Sequence, residues 1–310
     1  MAWRFQPGEP LQGEFSRLAL EEVERARVLL TSDETPGEDA IHQARRSFKK
    51  LRALARLGRR SLGSSFTREN HRWRDAGRLL AASREATVLL GSFDRMADEA
   101  KLSRRDVTVL RARLSKSESP AGARQAKADP VRKVLITLDA ASHDLPGLDW
   151  PRNLDELGRG LRDSQSRLKR SWKTAKRDAH SESLHDWRKR VKDTASHLGL
   201  FRAVLPPEIK ESRDQTKALA GLLGEEHDLA LLCEKLSPDA LPAALRKRAS
   251  GLIEAVGARR ALLREEALQN GEALSTRSAR LLAEEVVSRW QEAGSADRKR
   301  SGLQAERRRA

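Results

Sequence analysis

Apolar residues recur every three or four positions along most of this chain, and charged residues fill the positions between them. This spacing puts the apolar side chains on one face of an α-helix, whereas a half-buried strand would alternate with a period of two. The chain is built on Ala, Leu, Arg and Glu, which favour helices, and it contains no Tyr. The pattern therefore predicts an all-α fold. Helices are expected at residues 15–30, 39–62, 68–90, 104–114, 131–141, 154–177, 183–205, 210–236, 240–268 and 277–290.

The sequence also resembles itself when it is shifted by 143 residues. The shift aligns two basic stretches and the leucine-rich segments that follow them, so we predict an internal duplication. Each copy would form a four-helix bundle, and the two bundles would pack as a pseudo-symmetric pair. The predicted units are residues 1–143, residues 144–292 and a basic, disordered tail at residues 293–310. The aligned polar pairs are His42 and His185, Arg45 and Arg188, Arg46 and Lys189, Lys49 and Lys192, Arg74 and Lys217, and Arg84 and His227.

The helix predicted at the first basic stretch, residues 41–57, carries a row of cations on one face. At about 100° per residue, five side chains fall within one arc of that helix. Cations three and four residues apart repel one another by roughly a few tenths of a kcal/mol, and no acidic residue interrupts the segment from Arg45 to Arg60. The row therefore predicts an anion-binding face. Its members are His42, Arg45, Lys49, Arg52 and Arg56.

The second basic stretch, residues 184–201, repeats this row in a shorter form. Ala195 and Gly199 occupy the positions that the last two cations hold in the first row. We therefore expect an asymmetric anion site in which the first row dominates. The second row consists of His185, Arg188 and Lys192, with Lys189 at its margin.

The balance of charges points to an anionic partner. Lys and Arg total 61 and Asp and Glu total 45, which gives a formal net charge of +16. A surplus of this size attracts polyanions over a distance, but it does not distinguish nucleic acid, a phosphate polymer or an acidic lipid surface. Aromatic residues make up only 4% of the chain, and binding of single-stranded nucleic acid depends on aromatic stacking. The composition therefore favours a polyanion without bases.

Sequence signatures of catalysis and of metal binding are absent. There is no P-loop, no nucleophile elbow and no HExxH motif. His, Asp and Glu are not clustered at ligand spacing on the basic helices, and a crowded cationic face repels a divalent metal. We therefore predict a protein that is not an enzyme and that uses no cofactor and no metal.

The cellular setting can be predicted in the same way. Cys233 is the single cysteine, so no intramolecular disulfide forms, which fits a reducing cytoplasm. No signal-peptide core and no apolar run of about 18 residues occurs in the sequence. We expect a soluble cytoplasmic protein without a membrane partner, and its oligomeric state is left open.

The two basic rows resemble those of a known family, the CHAD domain (conserved histidine α-helical domain). The resemblance rests on two His-x-x-Arg-x-x-x-Lys stretches and on the leucine-rich segments 79–90 and 222–232 that follow them, and it spans about residues 10–292. It implies a pair of four-helix bundles that flank a basic central channel binding inorganic polyphosphate, often on polyphosphate granules. This chain departs from the family at one motif: in the family, an Arg-Asp pair usually follows a Leu-Gly turn. This chain has Arg84-Glu85 in the first copy and His227-Asp228 in the second.

From the residues and the resemblance together, we predict non-catalytic binding of inorganic polyphosphate through a basic helical channel, in the cytoplasm and on polyphosphate granules. Nucleic acid is expected to bind more weakly. The alternative is a nucleic-acid (RNA) binding or scaffolding protein, because the basic helix would serve that role as well. The predicted ligand-binding residues are His42, Arg45, Arg46, Lys49, Arg52, Arg56, Arg74, Arg84, His185, Arg188, Lys189, Lys192, Lys217 and His227.

Overall fold

The computed structural model describes residues 3–33, 35–117 and 125–307, except for the side chains of residues 82–86, 116–117, 125–129 and 297–307. All regular elements in these ranges are helical, so the all-α prediction is confirmed. A short 3-10 turn at Leu145–Gly147 connects the seventh helix to the eighth. The α-helices are α1 (Leu11–Thr31), α2 (Glu38–Leu57), α3 (Arg59–Leu62), α4 (Ser65–Leu79), α5 (Ala82–Glu99), α6 (Arg104–Ser117), α7 (Gln125–Asp144), α8 (Leu154–Arg177), α9 (Ser181–Leu200), α10 (Pro207–Lys235), α11 (Ala243–Thr276) and α12 (Ala279–Arg307).

Two of the predicted helices are broken in the structure. The segment 39–62 stops at Gly58, which lies so close to the Trp150-Pro151 turn that a Cβ there would stand 3.1 Å from the Pro151 ring. The segment 68–90 is interrupted between α4 and α5, where Leu80 turns into the core and is 5% exposed. In both cases a tertiary contact ends a helix that the periodicity alone would continue.

Helix α12 continues to Arg307, through most of the segment 293–310 for which a basic, disordered tail was predicted. The N-terminal segment packs against this part of the helix. A Cβ on Gly294 would stand 3.0 Å from the backbone nitrogen of Gly8. Close contact with this folded segment favours continuation of the helix through Gly294.

The apolar cores do not follow the predicted boundary at residues 143 and 144. The first core joins α1, α2, α4 and α7 with parts of α8, α9 and α12. A second core joins α5 and α6 with α10 and α11, and a third lies among α8, α9, α10 and α11. Helices from the two halves of the chain are therefore packed into common cores.

Helix α9 begins and ends 143 residues after α2, and the two helices pack against each other. The buried His197 of α9 joins them: its Nε2 lies 2.8 Å from the carbonyl oxygen of Ala53, and its Nδ1 lies 2.8 Å from Oγ of Ser164. A carbonyl only accepts, so Nε2 donates and Nδ1 accepts from the serine hydroxyl. This bridge fixes α9 beside α2 and brings the two basic rows together. The internal duplication and the central channel stay predictions.

Candidate functional site

The two basic rows meet at an open cavity of about 340 Å³ between α2, α5, α9 and α10. Arg45 and Lys49 enter it from α2, and Arg188 and Lys192 enter it from α9. Helix α10 adds Lys235, so five cationic side chains surround the space. Among its described lining residues there is one carboxylate, that of Asp228. The remaining lining residues are Val88, Leu89, His227 and Leu231.

The backbones of neighbouring helices hold the two arginines at this cavity. Arg45 donates from Nη1 to the carbonyl oxygen of Gly77 in α4, at 2.9 Å. Arg188 lies over Gly224 of α10, where an added Cβ would stand 3.5 Å from its Nη2. A Cβ at this position would make an ordinary van der Waals contact with the Arg188 guanidinium, which therefore packs against the α10 backbone. Both guanidinium groups are half-buried, which restricts their movement and places forked donors at the cavity wall.

The histidines of the second half form a pair beside the cavity. The rings of His185 and His227 lie with their centroids 4.5 Å apart and their planes inclined by 31°. His227 lines the cavity, and His185 lies behind it with a buried Nδ1 that has no hydrogen-bond partner among the described residues. His42, the counterpart of His185 in α2, is half-buried and does not line the cavity.

Burial and neighbouring cations keep both of these rings neutral at neutral pH. Burial, and then the charges of Lys189, His227 and Arg188, lower the pKa of His185 to about 4, while Asp186 opposes this shift. A polyanion in the cavity would reverse the local field and favour the protonated rings.

The pKa of His227 is shifted in the same direction. Burial is the largest cause, followed by the charge of Arg188, with smaller effects of Lys192 and Lys189. Glu226 opposes the shift. The same cations therefore act on both members of the histidine pair.

Several predicted site residues lie outside the cavity and are engaged on their own helices. Arg46 donates to Gln43, and Lys189 is paired with Asp186 at 2.8 Å. These and similar contacts hold the side chains at the protein surface. In the same way, Arg74 pairs with Asp75 and Lys217 pairs with Asp214. The backbone of Arg84 lies in α5, but its side chain is outside the described residues.

Arg56, predicted as the end of the first row, takes part in an ion pair between helices. Its Nη1 lies 2.7 Å from Oδ1 of Asp193 in α9, and the two side chains are 15% and 11% exposed. Its Nη2 also donates to Oδ1 of Asn70 in α4. These contacts give Arg56 a role in joining α2, α4 and α9.

Arg52 is half-buried and makes one hydrogen bond to α4. Its Nε donates to Oδ1 of Asn70 at 3.2 Å. Burial, followed by the charge of Arg56, lowers the pKa of Arg52 to about 10; Arg74 and Arg78 act in the same direction, and Asp193 opposes them. Four arginines are therefore close to one another at the junction of α2 and α4.

Buried carboxylates hold other cations behind the basic faces. Glu22 of α1 accepts hydrogen bonds from Ser47 and Lys50 of α2. Glu226 of α10 accepts from Arg260 and Arg264 of α11. Both carboxylates are 2% exposed. Charge is thus segregated: these carboxylates are used in contacts between helices, while the cavity receives a concentration of cations.

The sequence reasoning missed Lys235 and the apolar part of the cavity wall. Lys235 follows His227 by eight residues on α10, and Leu231 lies midway between them. Residues four apart share a helix face, so this periodicity could have indicated Lys235. Nothing comparable identified Val88 and Leu89, because the packing of α5 against α10 brings them to the site.

Over the described residues, no helix is both long enough and apolar enough to span a bilayer. The same part of the chain contains no group of three or more His, Cys, Asp or Glu side chains placed to hold a metal ion.

The fold and the site define an all-helical protein with a cavity whose wall carries five cationic side chains. The family model for the CHAD domain matches residues 16–195, more than half of the chain. The chain therefore belongs to the CHAD domain family. This family has, in general, a role related to polyphosphate.

The chain also shares its fold with a solved structure. The crystal structure of the CHAD domain from the plant Ricinus communis is 20% identical and matches with a TM-score of 0.54. The match covers 92% of this chain and 96% of that chain, and at this identity it shows the fold alone. No curated protein matched.

Proposed function

We propose that this protein binds inorganic polyphosphate at the cavity between α2, α5, α9 and α10, without catalysing a reaction on it. The observation that carries the proposal is the meeting of two basic rows around one space, with five cations and one carboxylate in its wall. Membership of the CHAD family supports a polyphosphate-related role.

The chemistry of the cavity wall suits a linear phosphate polymer. Each phosphate carries about one negative charge and several acceptor oxygens, which Arg binds with a fork of donors and Lys with a point charge. The described lining contains no Phe, Tyr or Trp, so it offers no platform on which a nucleobase could stack. The leucines and valine lower the local dielectric, which strengthens each charge contact.

The wall offers little with which to catalyse phosphoryl transfer. Such reactions use carboxylates that hold metal ions, and a positioned nucleophile or water. Among the described lining residues, Asp228 is surrounded by cations, and no hydroxyl or thiol group is present. These features support a binding role.

Titration calorimetry with long-chain polyphosphate tests the proposal directly. Counterions leave the polymer on binding, so the affinity should fall steeply with salt, with a slope of about 0.7 per phosphate contact on a logarithmic scale. The double variant K49Q/K192Q should lose about 100-fold in affinity at low salt, since each charged contact contributes about 1.5 kcal/mol. An affinity that is unchanged between low and near-molar salt would refute the electrostatic account.

The non-catalytic part of the proposal has its own test. The purified protein is expected neither to release phosphate from polyphosphate nor to elongate it, with or without magnesium or manganese. Phosphate release that a single substitution in the cavity abolishes would overturn this part.

Competition separates polyphosphate from RNA. Polyphosphate should displace bound RNA at far lower concentration of phosphate groups than RNA needs to displace polyphosphate. The reverse order would favour the RNA-binding alternative.

We also propose that the protein associates with polyphosphate granules. A fluorescent fusion should lie on the granules in cells that make them and spread through the cell when they are absent. The K49Q/K192Q fusion should spread in both cases, and a variant that stays on granules would contradict granule association through the cavity.

A further inference from the structure

We propose that Arg52 of α2 and Arg74 and Arg78 of α4 form a second anion subsite, outside the cavity, for the part of a long polyphosphate chain that leaves the cavity on the α2 side. This inference rests on the proposed function. It adds a direction to the bound polymer and a dependence of affinity on chain length.

The position of Arg52 makes it the next contact beyond the cavity. Lys49 lines the cavity, and Arg52 follows it by three residues, which corresponds to a rise of about 4.5 Å along α2. Arg45 also reaches towards α4, since it donates to the carbonyl oxygen of Gly77, the neighbour of Arg78. A chain that passes Lys49 in this direction therefore meets the junction of α2 and α4.

The Arg52 side chain is held at one end and open at the other. Its Nε donates to Asn70, and within the described residues its two terminal nitrogens have no protein acceptor. A half-buried guanidinium with a fixed Nε presents its remaining donors in a defined direction. Phosphate oxygens match that forked geometry.

Helix α4 supplies the other two cations. Arg74 and Arg78 are four residues apart and share one carboxylate, that of Asp75, at 2.8 Å and 3.7 Å. The Arg78 side chain is 72% exposed. Burial and the neighbouring arginines disfavour the charged form of Arg52, whose pKa is lowered to about 10. An anion at this position would relieve that repulsion.

The second half of the chain lacks this cluster. At the offset of 143 residues, Arg52, Arg74 and Arg78 correspond to Ala195, Lys217 and Gly221, so one cation replaces three. The subsite is therefore one-sided, and a long chain has a preferred side on which to leave the cavity.

The experiment compares tripolyphosphate with long-chain polyphosphate on R74Q/R78Q, by calorimetry at low salt. Tripolyphosphate fits within the cavity, so its affinity should change less than about twofold. The long chain should lose about tenfold, and its salt slope should fall by about 1.5 as two contacts disappear. The single variant R78Q removes the most exposed member and should lose about threefold for the long chain alone.

The matched control is R280Q/R289Q on α12. It also removes two positive charges, each of which is ion-paired with a glutamate of the same helix. This control should leave the affinity for both ligands within about twofold, and melting temperatures report the folding of all variants.

A loss that is equal for short and long chains, absent, or matched by the control would overturn the subsite. The cavity proposal fails differently. If the wild-type protein binds neither ligand, or if K49Q/K192Q binds both as well as wild type, the proposed function itself is wrong.

Discussion

The basic row on α2 and the basic row on α9 begin alike and end differently. In both, an Arg and a Lys four residues further on reach the common cavity. One turn later α2 continues with Arg52, whereas α9 has Ala195 at the corresponding position. The Arg and the Lys that both rows share therefore line the same cavity. Arg52 and Arg56, which only the first row has, lie outside it.

Carboxylates account for the rest of the difference. Asp193 of α9 stands at the position that Lys50 holds in α2, and it is paired with Arg56. Lys50 is paired in turn with the buried Glu22. These carboxylates therefore engage Arg56 and Lys50 in contacts between helices.

The largest expected effect comes from removing each row in turn. R45Q/K49Q/R52Q should weaken binding of long-chain polyphosphate by about 1,000-fold, since three charged contacts are lost at about tenfold each. R188Q/K189Q/K192Q should cost about 100-fold, because Lys189 is exposed, paired with Asp186 and outside the cavity. Calorimetry measures both, on variants whose melting temperatures match wild type.

Equal losses from the two triple variants would break the comparison. They would mean that Lys189 contacts the polymer as strongly as Arg52 does, or that Arg52 does not contact it.

A second prediction sharpens the distinction between binding and structural cations. R56Q should change the affinity for polyphosphate less than about twofold, because Arg56 is paired with Asp193. In a double-mutant cycle with D193N, denaturant unfolding should give a coupling energy of about 2 kcal/mol, as for a mostly buried pair.

The more exposed pair of Arg60 and Asp163 is the control for this cycle. Its coupling should be much smaller, because solvent screens exposed pairs. A loss of affinity in R56Q as large as that in a cavity variant would show that Arg56 leaves Asp193 to contact the ligand.

The smallest effect is a dependence on pH carried by the histidine pair. Bound phosphates raise the pKa values of His185 and His227 from their lowered values, so the complex binds more protons than the free protein. Affinity should then increase by about threefold as the pH falls from about 8 to about 6. In H185Q/H227Q this slope should flatten.

The lowered pKa of His185 also affects the stability of the free protein, which should decrease as the pH falls. The pKa of His185 is lowered from 6.5 to about 4 on folding, so the unfolded chain binds more protons between these values. The free energy of unfolding should decrease as the pH falls through this window. H143Q, which changes an exposed histidine away from the cavity, is the control, and a full pH slope in H185Q/H227Q would contradict the role of the pair.

Local sequence patterns predicted the features that depend on a single helix, such as its span and the side chains on one of its faces. The predicted span 154–177 agrees with α8, whose start is capped by Asn153, with its side chain accepting from the backbone nitrogen of Glu156. Helical periodicity also placed Arg45 and Lys49 on one face of α2, and Arg188 and Lys192 on one face of α9. That these two faces meet depends on the packing of α2 against α9.

Contacts between distant segments could not be read in the same way. Nothing local pairs Arg56 with a carboxylate 137 residues away. The end of α2 at Gly58 likewise depends on the Trp150-Pro151 turn. Both are products of packing, which also explains why the predicted row was longer than the part that reaches the cavity.

The central claim is that polyphosphate lies where the two rows meet. A crystal structure of the full chain with a polyphosphate of defined length tests this most directly. The account predicts phosphate groups between the side chains of Lys49 and Lys192, with Arg45 and Arg188 in contact with their oxygens. A polymer bound elsewhere on the surface, with this cavity holding no phosphate, would contradict it.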